Sequence, residues 1–387
     1  MSERVGIVAV AQTKYVANNE QQNLGEMVRG VVDKVLADTG LRYEDQVTSG
    51  FAIDQIVSCS EDYWDGVMVS DVRVHAEMGG FAMNEIKVSA DGAQALCTAV
   101  MNILSGYASV VLVVAHRKES QGVASIIENA AFDPLFQRPL GLTFLTAGAL
   151  QAQRYKDKYN INAEQWAKAV VRDRKNAQNN PFALDIEPVT VTDVLNSRFL
   201  AYPIRHLDCK PASDGACAMV LAKEDIAKTI SAKPVWVKGI GNCYDAHYLG
   251  DRDLADCESL TLAAKQAYKM ASITDPRRDI DIAETSAEYA YQELMWMEGL
   301  GFCQRGEGGK LMDSGITEAN GALPTNLSGG TLAGSPKGVA GLARVADLVL
   351  QLRGEAGAAQ AAKVKTGLAH GITGPCGQSQ CVIILGK

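Results

Sequence analysis

Two segments, SADGAQALCTAVMNIL (89–104) and SPKGVAGLARVADLVLQL (335–352), decide the fold of this chain. Each begins with a serine, has a glycine three residues later (Gly92, Gly338) and has a leucine seven residues after the serine. Each then continues as an apolar helix to a closing glycine, at 106 or 354. The repeat predicts two similar α/β halves, with each apolar helix buried on all sides between two sheets.

The flanking sequence of the first segment alternates between strand and helix patterns. Predicted strands are VGIVAVA (5–11), SGFAIDQIVSC (49–59) and ASVVLVVAH (108–116), and LGEMVRGVVDKVLADTG (24–40) is a predicted helix that ends at a glycine. The last strand is a continuous β-branched run of the kind found in covered parallel sheets. The pattern is that of an α/β protein.

The second half repeats this order. VWVKGIGNC (235–243), DIDIAETSAEY (279–289) and CVIILGK (381–387) match the three strands in turn, and LTLAAKQAYKMASI (260–273) matches the helix. Residues 118–194 differ from both halves in sequence pattern, with aromatic and polar segments and predicted helices at 146–159 and 163–178. We therefore predict an N-terminal half (1–117 with 195–229), an inserted segment (118–194) and a C-terminal half (230–387).

Composition excludes several classes of protein. The chain of 387 residues has 37 basic and 45 acidic side chains, a balance that argues against a nucleic-acid or anionic-membrane surface. It shows no secretory signal and no apolar run near the ~20 residues of a membrane span, so we expect a cytoplasmic protein. Nine cysteines occur without a CxxC pair, which predicts reduced thiols and no structural metal site in this chain.

Longer segments make the resemblance specific. RYKDKYNINAEQWAKAVVRDRKNAQNNPFA (154–183), SRFLAYPIRHLDCKPASDGACAMVLA (197–222), ELMWMEGLGFCQRGEGGKLMDSG (293–315) and PTNLSGGTLAGSPKG (324–338) resemble the sterol-carrier-protein-type thiolases. The resemblance covers nearly the entire chain. It implies the five-layered αβαβα thiolase fold and chemistry on coenzyme A thioesters.

The sequence departs from the family where the chemistry is expected. A typical thiolase acylates a cysteine at the start of the first buried helix, where the helix N-terminus lowers the thiol pKa, and uses histidines as acid–base groups. This chain has Ser89-Ala90-Asp91-Gly92 in place of Cys-Ala-Ser-Gly, and Gly334-Ser335-Pro336 in place of Gly-His-Pro. It also has Ser286-Ala287-Glu288-Tyr289 in place of His-Asp before an aromatic residue.

Three interpretations stay open. The chain makes or breaks a carbon–carbon bond by Claisen chemistry, with Ser89 acylated or CoA attacking directly. It is instead a retro-aldolase, which needs a base and an enolate hole but no acyl-enzyme, with Tyr289 or Tyr291 replacing a family tyrosine. Or it is a catalytically silent subunit of a thiolase complex. The glycine-rich segments 328–330 and 374–377 argue against a catalytically silent subunit, because glycines there let backbone N–H groups approach a thioester oxygen.

Candidate site residues follow from the resemblance. The catalytic candidates are Ser89, Ser286, Glu288, Ser335, His370 in a glycine-rich loop, and Cys376. The candidates for contact with CoA are Gly329, Gly330, Gly374, Gly377 and Arg154. A helix N-cap is the alternative role for Ser89, and for Ser335 because it precedes Pro336.

The resemblance also implies a substrate and partners. The closest group consists of thiolase-like proteins that work with a small OB-fold, zinc-ribbon partner, and any zinc would belong to that partner. We expect a homodimeric core acting on a bulky 3-oxoacyl-CoA such as benzoylsuccinyl-CoA, or on a 3-hydroxyacyl-CoA such as a steroid side-chain thioester.

Overall fold

Strands and helices alternate along the whole chain, and the computed structural model describes residues 4–43, 50–66 and 70–387. The strands are β1 (Val5–Gln12), β2 (Gln55–Cys59), β3 (Glu85–Val88), β4 (Val110–Lys118), β5 (Phe199–Ala201), β6 (Ile204–Arg205), β7 (Asp214–Lys223), β8 (Val235–Tyr244), β9 (Ile282–Glu284), β10 (Thr366–Thr373) and β11 (Ser379–Gly386). Of the predicted strand 49–59, residue 49 lies outside the described residues.

Thirteen helices are present in these described ranges. They are α1 (Leu24–Thr39), α2 (Asp62–Asp65), α3 (Gly92–Leu104), α4 (Ala124–Ile127), α5 (Phe144–Tyr159), α6 (Ala163–Ala177), α7 (Val191–Asn196), α8 (Glu224–Ile230), α9 (Glu258–Ala271), α10 (Pro276–Asp279), α11 (Ala290–Gly299), α12 (Gly308–Asp313) and α13 (Ala340–Arg353). In the described part of the chain, no helix is long and apolar enough to cross a membrane.

The sheet carries the internal repeat. Nine strands lie in the order β3-β2-β4-β7-β1-β8-β11-β10-β9, so β1 and β8 meet at the centre. Outward from β1 the pairings are antiparallel, antiparallel, parallel and parallel, and outward from β8 they are antiparallel, antiparallel and parallel. A parallel bridge between Ala283 and Thr325 stands where the second half would have its fifth strand. The two halves therefore share one topology.

The topology corrects one predicted equivalence. β10 follows α13 and pairs in parallel with β9, as β4 follows α3 and pairs in parallel with β2. The match of 381–387 with 108–116 was wrong, because β11 corresponds to β7. The sequence of β10, TGLAHGIT, has two glycines and a histidine, so its pattern does not resemble a strand.

The two repeat helices form the central layer. Gly92 at the start of α3 packs so closely on α13 that an added Cβ would lie 2.6 Å from the Cβ of Leu342. Val113 on β4 and Ile383 on β11 complete the apolar core around them. The prediction of burial on all sides fails at the end of α3, where Met101 and Leu104 are exposed.

Outer helices cover the other sheet faces. α1 packs its apolar face on the first half, between a capping box formed by Asn23 and Glu26 and a left-handed Gly40. α9 and α11 cover the second half. The five-layered αβαβα thiolase fold is confirmed. Between β4 and β7 the chain forms α4–α7 and the β5–β6 hairpin.

Candidate active site between the two repeats

A small cavity lies where the N-termini of α3 and α13 meet the segment that follows β9. Its volume is about 10 Å³. Six polar side chains contribute to its lining, and they are Asp91, Lys210, Ser286, Glu288, Thr331 and Lys337. Two of the predicted catalytic residues, Ser286 and Glu288, are thus brought together. A substrate requires the cavity to widen.

Asp91 joins the two repeat helices at this cavity. Its Oδ1 accepts the Ala93 N–H of α3 at 2.9 Å, and its Oδ2 accepts the Gly341 N–H of α13 at 3.0 Å. Gly341 and Gly371 leave room for the carboxylate, since an added Cβ would lie 1.8 Å or 2.3 Å from Oδ1. Burial raises the pKa of Asp91 to about 7, against the lowering effect of these backbone hydrogen bonds.

The backbone beside Ser286 is fixed by Thr331. The Thr331 hydroxyl accepts the Ala287 N–H at 2.7 Å and donates to the Ala287 carbonyl at 2.6 Å. Ser286 is 1% exposed, and its Oγ has no hydrogen-bond partner among the described residues. A buried hydroxyl without a partner is costly, so Ser286 is available to donate to a substrate oxygen.

Glu288 and Lys337 form an ion pair at the cavity. Glu288 Oε2 lies 3.4 Å from Lys337 Nζ. The Glu288 backbone N–H donates to Gln292 Oε1 at 2.8 Å, which fixes the start of α11. Lys337 is 5% exposed, and its ammonium lies 3.7 Å from the centre of the Phe144 ring. A carboxylate beside a buried ammonium can accept a proton while the ammonium stabilises negative charge.

A buried ionic network extends outward from this pair. Lys337 Nζ also contacts Glu128 Oε1 at 3.2 Å, and Arg117 Nη2 contacts the same oxygen at 3.0 Å. Glu119 accepts Lys210 Nζ at 3.0 Å and the Lys337 backbone N–H at 3.1 Å. The network therefore connects the end of β4 with the turn before α13.

Two of the predicted serines lie elsewhere. Ser89 is exposed, and its Oγ accepts the Asp62 N–H at 3.0 Å. Its alternative role as an N-cap was wrong, because Asp91 caps α3. Capping by Ser335 was wrong as well, because α13 begins at Ala340 after Val339. Ser335 is fully buried, and within the described chain its Oγ has no hydrogen-bond partner.

His370 and Cys376 do not line the cavity. His370 lies in strand β10 and not in a loop, and its Nε2 is 2.6 Å from Gln380 Oε1. Burial lowers the pKa of His370 to about 4, so the imidazole is neutral at pH 7. Cys376 packs against Phe132 and Phe144, and burial raises the pKa of its thiol to about 12. An activated thiolate is therefore not available at neutral pH.

The residues predicted to contact CoA have roles within the fold. Gly329, Gly330, Gly374 and Gly377 all have positive φ, at which glycine is favoured. Other protein atoms lie close to each of these glycines. For example, an added Cβ on Gly329 would lie 2.7 Å from the Cβ of Ala177. Arg154 is exposed and binds Asp253 through two hydrogen bonds of 3.0 and 2.9 Å. Contact between these residues and CoA stays a prediction.

Asp91 and Lys337 were missed, although the repeat contained the signal. Asp91 is two residues after Ser89, Lys337 is two residues after Ser335, and each directly precedes the repeat glycine. The two are therefore equivalent positions of the two halves, and both line the cavity.

A second cavity, of about 680 Å³, lies between residues 177–187 and the C-terminal end of α13. Glu284 and Asp347 line its inner wall, and the buried Arg344 lies 3.9 Å from Glu284 and 3.0 Å from Asp347. Burial raises the pKa of Glu284 to about 7. In the described part of the chain, no predicted catalytic residue lines this cavity.

The chain is similar to known proteins over nearly its whole length. Residues 241–387 match the model of the family "Thiolase C-terminal domain-like". Over 386 residues the chain is 33% identical to the acetyl-CoA acetyltransferase of Methanothermobacter thermautotrophicus, which covers 96% of this chain and 97% of that protein. The chain belongs to the thiolase superfamily.

Two further matches confirm the predicted branch of this superfamily. Benzoylsuccinyl-CoA thiolase subunit BbsB of Thauera aromatica is 28% identical over 288 residues, 74% of each chain. The structure of the Ltp2-ChsH2(DUF35) aldolase superposes with a TM-score of 0.83 at 25% identity, over 99% of this chain and 97% of that one. Members of this thiolase superfamily branch thus include both acyltransferases and an aldolase.

Proposed function

We propose that this thiolase-superfamily protein is a carbon–carbon lyase that cleaves a 3-hydroxyacyl-CoA thioester by a retro-aldol reaction. The observation that carries the proposal is the Glu288–Lys337 ion pair beside the Ser286 hydroxyl, which has no hydrogen-bond partner among the described residues, in a cavity whose described lining contains no cysteine. The similarity to an aldolase structure supports it.

The proposed step assigns each proton and electron pair. The Glu288 carboxylate accepts the proton of the 3-hydroxyl group, and the bond between Cα and Cβ breaks as the Cβ carbonyl forms. The electron pair of that bond becomes the enolate of the CoA thioester. Ser286 donates to the enolate oxygen, and the Lys337 ammonium stabilises its charge. Protonated Glu288 then returns the proton to Cα, and an aldehyde or ketone and a shorter acyl-CoA leave.

Claisen chemistry is the second candidate, favoured by the 33% identity to an acetyl-CoA acetyltransferase. It would act on a 3-oxoacyl-CoA such as benzoylsuccinyl-CoA. A serine nucleophile needs a base within hydrogen-bond reach. Ser89 instead accepts a backbone hydrogen bond from Asp62. This contact argues against an acyl-enzyme on Ser89 but leaves direct attack by CoA as a route.

We further propose that the segment 118–194 covers bound CoA, that the core is a homodimer, and that activity requires a small OB-fold, zinc-ribbon partner. The solved neighbour, the Ltp2-ChsH2(DUF35) aldolase, carries the names of two proteins, and that supports a heteromeric assembly here. Any zinc in such an assembly would be bound by the partner and not by residues of this chain.

The test is product analysis by mass spectrometry. The chain, alone and with its candidate partner, is incubated with matched 3-hydroxyacyl-CoA and 3-oxoacyl-CoA panels. We expect an aldehyde or ketone from the hydroxy substrates, no acyl adduct in the intact mass, and an active Ser89→Ala variant. An adduct lost in Ser89→Ala, with cleavage of oxo substrates only, would establish the Claisen route instead. No turnover of either panel in any assembly would identify a silent subunit.

A further inference from the structure

The cavity of about 680 Å³ beside the C-terminal end of α13, here called the large cavity, takes no part in the proposed reaction. Its volume lies within the ~300–1,000 Å³ that is usual for small-molecule sites. Its walls include the apolar side chains of Phe182, Leu184 and Leu350, and its inner wall carries the carboxylates of Glu284 and Asp347. Apolar walls with a few charged groups at the inner end are typical of a ligand site.

The two carboxylates of the inner wall share one cation. Arg344 Nε lies 3.9 Å from Glu284 Oε2, and Arg344 Nη2 lies 3.0 Å from Asp347 Oδ2. Among the described residues, no other cationic side chain lies within 4.0 Å of either carboxylate. Burial, and then the neighbouring Asp347 carboxylate, raise the pKa of Glu284 to about 7, against the lowering effect of Arg344. With both carboxylates ionised, this buried group has one negative charge in excess.

Hydrogen bonds from the protein satisfy Glu284 but not Asp347. The two Glu284 oxygens accept the backbone N–H and the hydroxyl of Ser328. Asp347 Oδ1 accepts Gln12 Nε2 at 2.8 Å. Asp347 Oδ2 contacts Arg344 but accepts no hydrogen bond from any described residue, although Asp347 is only 6% exposed. A buried oxygen without a donor is costly, so Asp347 Oδ2 is available to a donor in the cavity.

The charge of the cavity wall determines which ligands fit. Five acidic side chains and one basic side chain, Lys14, belong to the described lining, and Lys14 Nζ is bound to Asp185 at 2.7 Å. Such a wall repels the phosphates of CoA and attracts a cation. A primary ammonium group combines one compact positive charge with three N–H donors. It therefore matches an inner wall with one excess negative charge and one oxygen without a donor.

The large cavity is separate from the proposed reaction centre but adjoins it. Glu284 lines the large cavity, whereas Ser286, two residues later, lines the small one. Ser328 and Thr331 are divided in the same way. No described residue lines both cavities, so the segments 284–286 and 328–331 form a wall between them.

We infer that the large cavity is a second ligand site, which binds a small primary alkylammonium ion with its ammonium group at Glu284 and Asp347 and its alkyl chain along the apolar walls. The ammonium group supplies the missing positive charge and donates to Asp347 Oδ2. The inference does not depend on the proposed lyase reaction, because neither carboxylate takes part in that reaction.

The test is titration calorimetry of the full chain at neutral pH with hexylamine, which is protonated under these conditions, hexan-1-ol and hexanoate. The three compounds have the same number of carbons and differ in the charge of the end group. We expect wild type to bind the hexylammonium ion at least ~10-fold more tightly than hexan-1-ol, about 1.4 kcal/mol, and to bind hexanoate more weakly than either.

Two variants and a control locate the site. Glu284→Gln and Asp347→Asn each leave Arg344 with one carboxylate, so both keep a charge-balanced interior, and both should lose the preference for hexylammonium. Either variant keeps the inference testable if the other does not fold. Glu307→Gln, at a surface glutamate outside the lining of the large cavity, is the matched control and should retain the preference.

The other outcomes overturn the inference. Equal binding of hexylammonium and hexan-1-ol by wild type would show that the excess charge does not select a cation. A preference that either carboxylate variant retains would place the bound ammonium elsewhere on this acidic protein. Binding of none of the three compounds at millimolar concentration would show that the large cavity is not a site for an alkyl ligand. Each of these results leaves the proposed lyase reaction standing.

Discussion

Asp91 Oδ2 accepts the backbone N–H of Gly341 at 3.0 Å, and this hydrogen bond joins the N-termini of the two repeat helices. The other oxygen caps its own helix through Ala93. One side chain therefore satisfies a donor in each half of the molecule. The relative position of the two helices at the cavity depends on it.

Asp91→Ala should destabilise the protein by about 2 kcal/mol or more, because a helix cap is lost and two buried N–H groups lose their acceptor. The free energy of unfolding in urea measures the effect. Ser89→Ala is the matched control, since Ser89 is exposed two residues away, and it should change stability by no more than ~0.5 kcal/mol. Equal effects of the two substitutions would contradict a capping role for Asp91.

The repeat made the fold predictable, and the same repeat explains what was missed. Helix α1 was predicted at 24–40 and observed at Leu24–Thr39, because apolar spacing and a terminal glycine are local signals. Strand β10 was missed because its burial comes from neighbours on both sides, β9 and β11, and not from its own residues. The local hydrophobic pattern of a segment cannot reveal burial that arises from neighbours distant in the sequence.

The site was predictable only in part for a related reason. Ser286 and Glu288 follow a strand in the sequence, and the structure brings both to the cavity. Arg117, Glu128 and Lys337 are separated by up to 220 residues and meet only through the fold. Charged residues on distant elements show no regular spacing in the sequence, so the ionic network could not be predicted from it.

Gly341→Ala should be severely destabilising or prevent folding, because the new Cβ would lie 1.8 Å from Asp91 Oδ1 in the packed core. Gly30→Ala is the opposite case in α1, where an added Cβ meets nothing within 4 Å. There alanine should stabilise by about 0.5–1 kcal/mol through helix propensity. Thermal unfolding of both variants measures these changes in stability. A Gly341→Ala variant that unfolds at the wild-type temperature would refute the tight packing at Asp91.

Glu288→Gln should lower kcat by about 10²–10⁴-fold, because the amide cannot accept the proton of the 3-hydroxyl group. The isosteric change keeps the side-chain volume, so KM should change far less. Steady-state kinetics on the substrate identified by product analysis measure both. Glu307→Gln, at a surface glutamate paired with Lys310, is the control and should retain wild-type kcat. A Glu288→Gln variant with full activity would remove Glu288 from the mechanism.

His370 should make the stability of the protein depend on pH. Burial lowers its pKa from 6.5 to about 4, so between these values the unfolded chain binds a proton that the folded chain does not. Stability is therefore fully present above pH 6.5 and is lost as the pH falls towards 4, by about 2 kcal/mol at pH 5. His370→Gln removes the titrating group, so its unfolding free energy should fall less than that of wild type between pH 7.5 and 5. His247→Gln, at an exposed histidine, should follow wild type. The prediction is contradicted if the difference in unfolding free energy between wild type and His370→Gln stays constant from pH 7.5 to 5. The fold would then not keep the imidazole neutral.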